Sequence, residues 1–217
     1  MDDEPERLFA WPGALNLAYG YLVLGPPTAF WFVFVYAGCD YLTGLHDYRV
    51  PLYFDFELAI PFVPATVLFY HSLHVAYSLA PFVLRTRGEM NAMALIWFLI
   101  TLAAGVVFLV VPFEPGFAPP TEDELGPWRA LYQLADDANL RYNSCPSLHV
   151  AWGIACIDVY ATKAGRMGAM LLWLWGIGMV ASTVLLHQHH LADVAGGLLL
   201  AFVGTRLIYP RLRGDIG

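Results

Sequence analysis

The stretch "RYNSCPSLHV" (Arg141–Val150) runs straight into the apolar segment "AWGIACIDVYA" (Ala151–Ala161). Arg, Asn, two Ser, Cys, Pro and His thus gather at the border of a run suited to a membrane interior. Ionisable groups at such a border either cap a helix and meet water or handle a charged substrate at the membrane surface.

The rest of the chain shares this apolar character. Its 217 residues are 59% hydrophobic and only 13% charged, whereas a soluble domain is about 45–50% apolar and about 25% charged. A single integral membrane domain over residues 1–217 follows. The formal net charge of −7, with no basic stripe to neutralise a phosphate backbone, argues against a nucleic-acid partner. The start "MDDEPERLFAWPG" is acidic, unlike a removable signal peptide. Residues 1–16 read as a cytoplasmic or interfacial leader.

A bilayer core takes about 20 apolar helical residues. On that measure the chain predicts an all-α integral membrane bundle of six transmembrane helices. The spans are Leu17–Cys39, Pro64–Leu84, Ala92–Pro112, the opening motif to Ala161, Met167–Leu186 and Leu191–Tyr209. "GPP" at Gly25–Pro27 should kink the first or divide it into a re-entrant pair. With both termini inside, Arg7, Arg85, Arg87, Lys163, Arg166, Arg206, Arg211 and Arg213 fall inside. Arg49, Arg129 and Arg141 fall outside. That asymmetry supports the N-in, C-in orientation. Two outer loops follow, residues 40–63 and 113–145. Cys39 and Cys145 share that outer side, so a disulfide between them is possible.

Two polar clusters lie at outer span ends, together covering residues 141–193: "CPSLH" and "STVLLHQHHLAD" (Ser182–Asp193). His189 and Asp193 are spaced i, i+4, which on a helix brings a carboxylate to an imidazole. The carboxylate would fix the tautomer and raise the basicity of the other ring nitrogen. Such an imidazole can attack phosphorus, while His149 protonates the leaving oxygen. Pro146 and Ser147 suit a helix N-terminus that favours an anion.

The Pro146–His149 tetrad and the spacing Ser182–Thr183–His189–Asp193 resemble the type 2 phosphatidic acid phosphatase superfamily, whose motifs are K-x6-R-P, P-S-G-H and S-R-x5-H-x3-D. The resemblance implies a six-helix core with an extracytoplasmic site. It makes His189 the nucleophile, Asp193 its orienter and His149 the general acid. Arg141, Ser147, Leu148, Ser182 and Thr183 would hold phosphate. Leu148 stands where the family has Gly, Thr183 where it has Arg, and the first motif has no counterpart. "YNSCPSLHVAW" with "HQHHLADVAGG" looks closer to the branch with inositol phosphorylceramide synthases. A lipid phosphate, diphosphate or phosphodiester would be the substrate, in a bacterial plasma membrane with the site facing the periplasm. Water or an alcohol such as inositol would be the acceptor, and no cofactor is needed.

Blander readings stand beside these. Ser147 and Asn143 are ordinary helix caps. His187 and His190 are accessory or rim residues, and Arg129 and Arg141 serve phosphate or simply anchor at the interface. "HQHH" lacks the carboxylate-rich second set that a metal site needs. His71 and His74 read as helix-packing or lumen residues, and Asp55 and Glu57 as shaping the acceptor pocket or, by preference, meeting water. A non-enzymatic lipid-binding or transport protein with a degenerate site is the alternative function.

Overall fold

The computed structural model describes residues 13–140 and 142–215. Arg141 and most of the leader, residues 1–12, lie outside the described residues. Helix α1 (Ala14–Gly44), α3 (Arg87–Val110), α6 (Arg166–Leu185) and α7 (Leu191–Arg213) are each long and apolar enough to cross a membrane. Between them lie α2 (Val67–Ser78), the short helix α4 (Arg129–Ala138) and α5 (Leu148–Ala161). Two-residue strands β1 (Val50–Pro51) and β2 (Phe113–Glu114) pair in parallel across the loops at one end.

Six expected spans thus correspond to four helices of spanning length and two shorter ones. For α2 the reason is local. A 3-10 turn at Pro64–Thr66 precedes it, and a turn at Ala80–Val83, carrying Pro81, follows the break at Leu79. For α5 the reason is tertiary. All of its positions from Val150 to Tyr160 are buried, because α2, α3, α6 and α7 pack around it. Its sides face protein instead of lipid, so burial of this 14-residue helix does not depend on matching the thickness of the hydrocarbon.

The "GPP" element does not split α1. The helix widens into a π turn over Tyr19–Leu24, and the Gly25 N–H bonds to the Gly20 carbonyl. Pro26 and Pro27 lack the N–H needed for ordinary helical bonds, and this local change in winding lets the helix continue through them.

The outward faces carry Phe30, Val33 and Phe34 of α1, Val106 and Val110 of α3, Leu171, Leu174 and Ile177 of α6, and Leu199 and Phe202 of α7, all exposed. This apolar belt is what lipid would cover. At one end of the bundle the Arg87 guanidinium lies over Tyr19 at 5.0 Å, Lys163 pairs with Glu89, and Asp158 accepts from Thr205 and Arg206. At the opposite end Arg49 lies 4.2 Å over Tyr142, beside the polar motifs. Arg87, Lys163 and Arg206 on one side and Arg49 on the other therefore lie at opposite ends of the bundle.

Candidate active site

Helix α6 stops in a way that delivers His189. The His187 N–H bonds to the Val184 carbonyl at 2.9 Å and the Gln188 N–H to the Thr183 carbonyl at 3.0 Å. This is a Schellman turn, with His187 at φ 57° where Gly is usual. A left-handed non-glycine residue costs about 1–2 kcal/mol. Contacts of the His187 ring offset that cost. It stacks on Phe117 at 4.0 Å, and its Nε2 is 2.9 Å from the Ile60 carbonyl.

The His189 N–H also bonds to the Thr183 carbonyl, at 3.0 Å. His190 then caps α7, and Asp193 lies in the first turn. Asp193 is fully buried. Its Oδ2 accepts the His190 backbone N–H at 2.9 Å and faces His189 Nδ1 at 3.4 Å. The expected pair forms, but by another route: His189 precedes the helix, and the carboxylate reaches back to it as a cap. With Nδ1–H toward the carboxylate, the Nε2 lone pair remains available.

His149 arrives on α5. The N-cap Ser147 Oγ accepts the Val150 N–H at 3.2 Å. His149 stacks on Tyr70 at 4.0 Å, and its buried Nε2 has no hydrogen-bond partner among the described residues. His149 and His189 line one cavity of about 670 Å³ with Tyr36, Tyr70, Asn139 and Asn143. The cavity continues along α1 past Phe32 and Ala29 to Gly25, with Trp97 and Trp152 in its wall. Tyr36 and Gly25 are separated by about 16 Å of helix, at about 1.5 Å per residue. That depth is about half a bilayer core. The cavity lies between α1 and α2, which pack mainly on α3 and on α5 and α6 respectively.

The other expected site residues occupy varied places. Leu148 lines the cavity. Ser147, Ser182 and Thr183 are fully buried outside its lining. Ser182 Oγ donates to the Met179 carbonyl at 2.6 Å and Thr183 Oγ1 to the Val180 carbonyl at 2.8 Å. Asn143 is buried and its amide N–H donates to the Tyr36 carbonyl. Arg129 forms an exposed ion pair with Glu122 at 2.6 Å, outside the cavity lining. Among the described residues, no Lys or Arg lines the cavity.

His190 is locked into the loops that carry Tyr53, Glu57, Gly116 and Phe117. Its Nε2 accepts the Gly116 N–H at 3.3 Å, and its Nδ1 is 3.2 Å from Glu57 Oε2. Its ring stacks on Phe117 at 4.2 Å and on Tyr53 at 4.8 Å. Glu57 does not meet water as expected. It is fully buried and accepts the Phe54 N–H at 3.0 Å and the Leu191 N–H at 2.8 Å. Burial alone pushes this carboxyl up, but the two N–H groups and His190 outweigh it and hold the carboxyl below its ordinary value. Burial in turn pushes the His190 imidazole down, against the opposing pull of Asp193 and Glu57.

His71 and His74 also line the cavity, the lumen reading of the two that their spacing allows. His71 Nε2 is 2.9 Å from the Leu131 carbonyl of α4, and His74 Nδ1 is 3.1 Å from the His71 carbonyl. Asn139 donates to the Tyr70 hydroxyl at 2.8 Å, tying α4 over the same space. The polar face Tyr70–His71–His74–Tyr77 of α2 was the available signal. Cys39, Cys145 and Cys156 are free thiols. Cys39 Sγ contacts the Gly105 carbonyl at 3.5 Å and Cys145 Sγ the Ala192 carbonyl at 3.9 Å, so the two are held in different places.

A buried imidazole beside a carboxylate, on a cavity with a second imidazole whose Nε2 is unpartnered among the described residues, suits transfer of a group between two oxygens. The fold and site thus define an all-α, membrane-type protein with a paired-histidine centre. A family model described as the PAP2 superfamily matches residues 52–207, and the chain belongs to that superfamily, whose members are typically phosphoesterases. No curated protein and no solved structure matches the chain.

Proposed function

We propose that this protein is a membrane lipid-phosphate phosphoesterase or phosphotransferase that works through a phosphohistidine. The observation that carries the reading is the convergence of His189, oriented by Asp193, and the unpartnered His149 Nε2 on one cavity. The apolar extension of that cavity along α1 supports a lipid as the carrier of the phosphate.

In the first step His189 Nε2 attacks phosphorus, the P–O bond to the lipid alcohol breaks, and His149 gives its proton to the departing oxygen. In the second, water or an alcohol attacks phosphorus and the N–P bond breaks. The electron pair returns to His189, and His149 takes the nucleophile's proton. The Ser147–His149 turn, with its helix N-terminus, offers anion-binding backbone groups. Ser182 and Thr183 shape the buried floor beneath His189, and Arg141 is the cation we assign to the phosphate. The bundle is read with six passes, both termini inside and the site at the outer end, on the distribution of Lys and Arg. The host is a bacterial plasma membrane with the site toward the periplasm.

Purified protein incubated with phosphorus-labelled phosphatidate, polyprenyl diphosphate or phosphatidylinositol tests the reading. Acid-labile, base-stable label should appear at His189 and vanish in His189→Ala. A wild type that never labels and never turns over any of these lipids would sink it and leave the non-enzymatic lipid-binding alternative.

A further inference from the structure

Asn143 carries an orphan. Its side chain is 2% exposed, and its Nδ2 donates to the Tyr36 carbonyl of α1. That bond sets the amide orientation, because flipping it would place two carbonyl oxygens face to face. Oδ1 is therefore the free end. It is buried, lacks a hydrogen-bond partner among the described residues, and belongs to a residue lining the cavity with His149 and His189. A buried amide oxygen left unpaired is costly. The ligand that satisfies it must bring an N–H or O–H donor, since this atom can only accept.

A phosphoryl group on His189 is not that ligand, because as a dianion it offers acceptors only. The two nucleophiles of the second step differ in the proton each leaves over. An attacking alcohol has one O–H proton, and His149 takes it. Water has two: one goes to His149, and the other needs a fixed acceptor to orient the attack.

We propose that Asn143 Oδ1 accepts the second hydrogen of the attacking water, and that the site is thereby built for hydrolysis of the phosphohistidine over its transfer to an alcohol. This rests on the phosphohistidine reading above and selects between its two outcomes. In the step, the water oxygen bonds to phosphorus, the N–P bond breaks with its pair returning to His189 Nε2, and one water proton passes to His149. The other stays on the product phosphate, hydrogen-bonded to Asn143.

The test follows label from short-chain phosphatidate in detergent micelles, with glycerol or inositol as competing acceptor. The measured quantity is the ratio of inorganic phosphate to phosphorylated alcohol, together with the steady-state level of phosphoenzyme. Because each folded molecule reports the same ratio, a lower yield of folded variant does not change it. The wild type should release mainly inorganic phosphate. Asn143→Leu, similar in size but without an acceptor, should lower the ratio about tenfold and raise the phosphoenzyme level, the scale of one lost hydrogen bond. Asn143→Ser, whose short side chain withdraws the acceptor, should do the same and serves if the Leu variant fails to fold. An unchanged ratio in both variants overturns the inference, as does a wild type that makes only alcohol product. A raised KM with an unchanged ratio would mean that Asn143 holds a donor on the lipid, and also overturns it. A wild type that never forms phosphoenzyme instead removes the underlying functional reading.

Discussion

The backbone N–H of Ser147 donates to the backbone carbonyl of Asp193 at 3.0 Å. This main-chain bond ties the start of α5 to the first turn of α7. His149 lies just after one end of it and His189 just before the other, so it sets the separation of the two histidines without involving either side chain.

Gly197 makes that junction possible. A Cβ there would meet the Ser147 carbonyl at 2.6 Å and Val150 Cβ at 2.9 Å. The obstacle is largely backbone, which cannot rotate away. Gly197→Ala should therefore destabilise the protein by about 1–3 kcal/mol and lower activity more than substrate affinity. Thermal unfolding in detergent, with kcat measured on the folded fraction, checks both.

Asp193→Asn keeps the shape but removes the charge that orients His189. Its amide can present N–H to His189 Nδ1 and so favour the wrong tautomer. A kcat loss of about 10²–10⁴-fold is expected, with KM nearly unchanged. Steady-state kinetics on a labelled lipid phosphate measures it, and a variant within a few-fold of wild type would remove the orienting role.

Glu57 binds the loop between α1 and α2 to α7 through the Leu191 N–H and His190. Its carboxyl is held below the ordinary value, so the unfolded chain binds its proton more readily. That stability is present above the unfolded value of about 4.3 and is lost as pH falls through the lower folded one. His190, pushed down by burial, acts in the same sense: the unfolded state takes up its proton first, so stability declines as pH drops below about 6.5. Melting temperature should fall from neutral pH toward pH 4. Glu57→Gln should flatten the lower part of that slope and cost about 2–3 kcal/mol at neutral pH.

Ala29 lies on the wall of the apolar extension of the cavity. Ala29→Phe should fill the groove below the histidines. The kcat/KM for long-chain lipid phosphates is expected to drop about tenfold or more, while a short-chain phosphate ester is handled nearly as before. A tenfold change is about 1.4 kcal/mol, which loss of burial for roughly two methylenes supplies. Equal losses on both substrates would place the lipid chain elsewhere.

Several features were legible because they are local. Apolar runs marked α1, α3, α6 and α7, and "PSLH" with H-x3-D marked the polar turns that lead into α5 and α7. Glu57 was misread because it has two faces in the sequence: a charged residue in a loop, and a carboxylate among aromatics in "YFDFEL". Only packing against Leu191 and His190, far along the chain, shows which one applies. For His71 and His74 the sequence left packing and lumen readings open, since spacing on α2 says which residues share a face but not that the face borders a cavity. The surroundings of α5 were not legible either, because hydropathy cannot distinguish a helix facing lipid from one wrapped by four others.

By itself, the sequence determined the apolar class of the chain, its winding into helices, and the histidine–aspartate spacing. Each of these is set by neighbours a few positions away. Tertiary structure decided that His149 and His189 share a cavity, that Asp193 reaches back as a cap, that His190 is a structural latch, and that Asn143 turns its oxygen away from Tyr36. Those outcomes depend on which surfaces meet when helices pack. Partners fixed by close packing between distant segments leave no periodic mark along the chain.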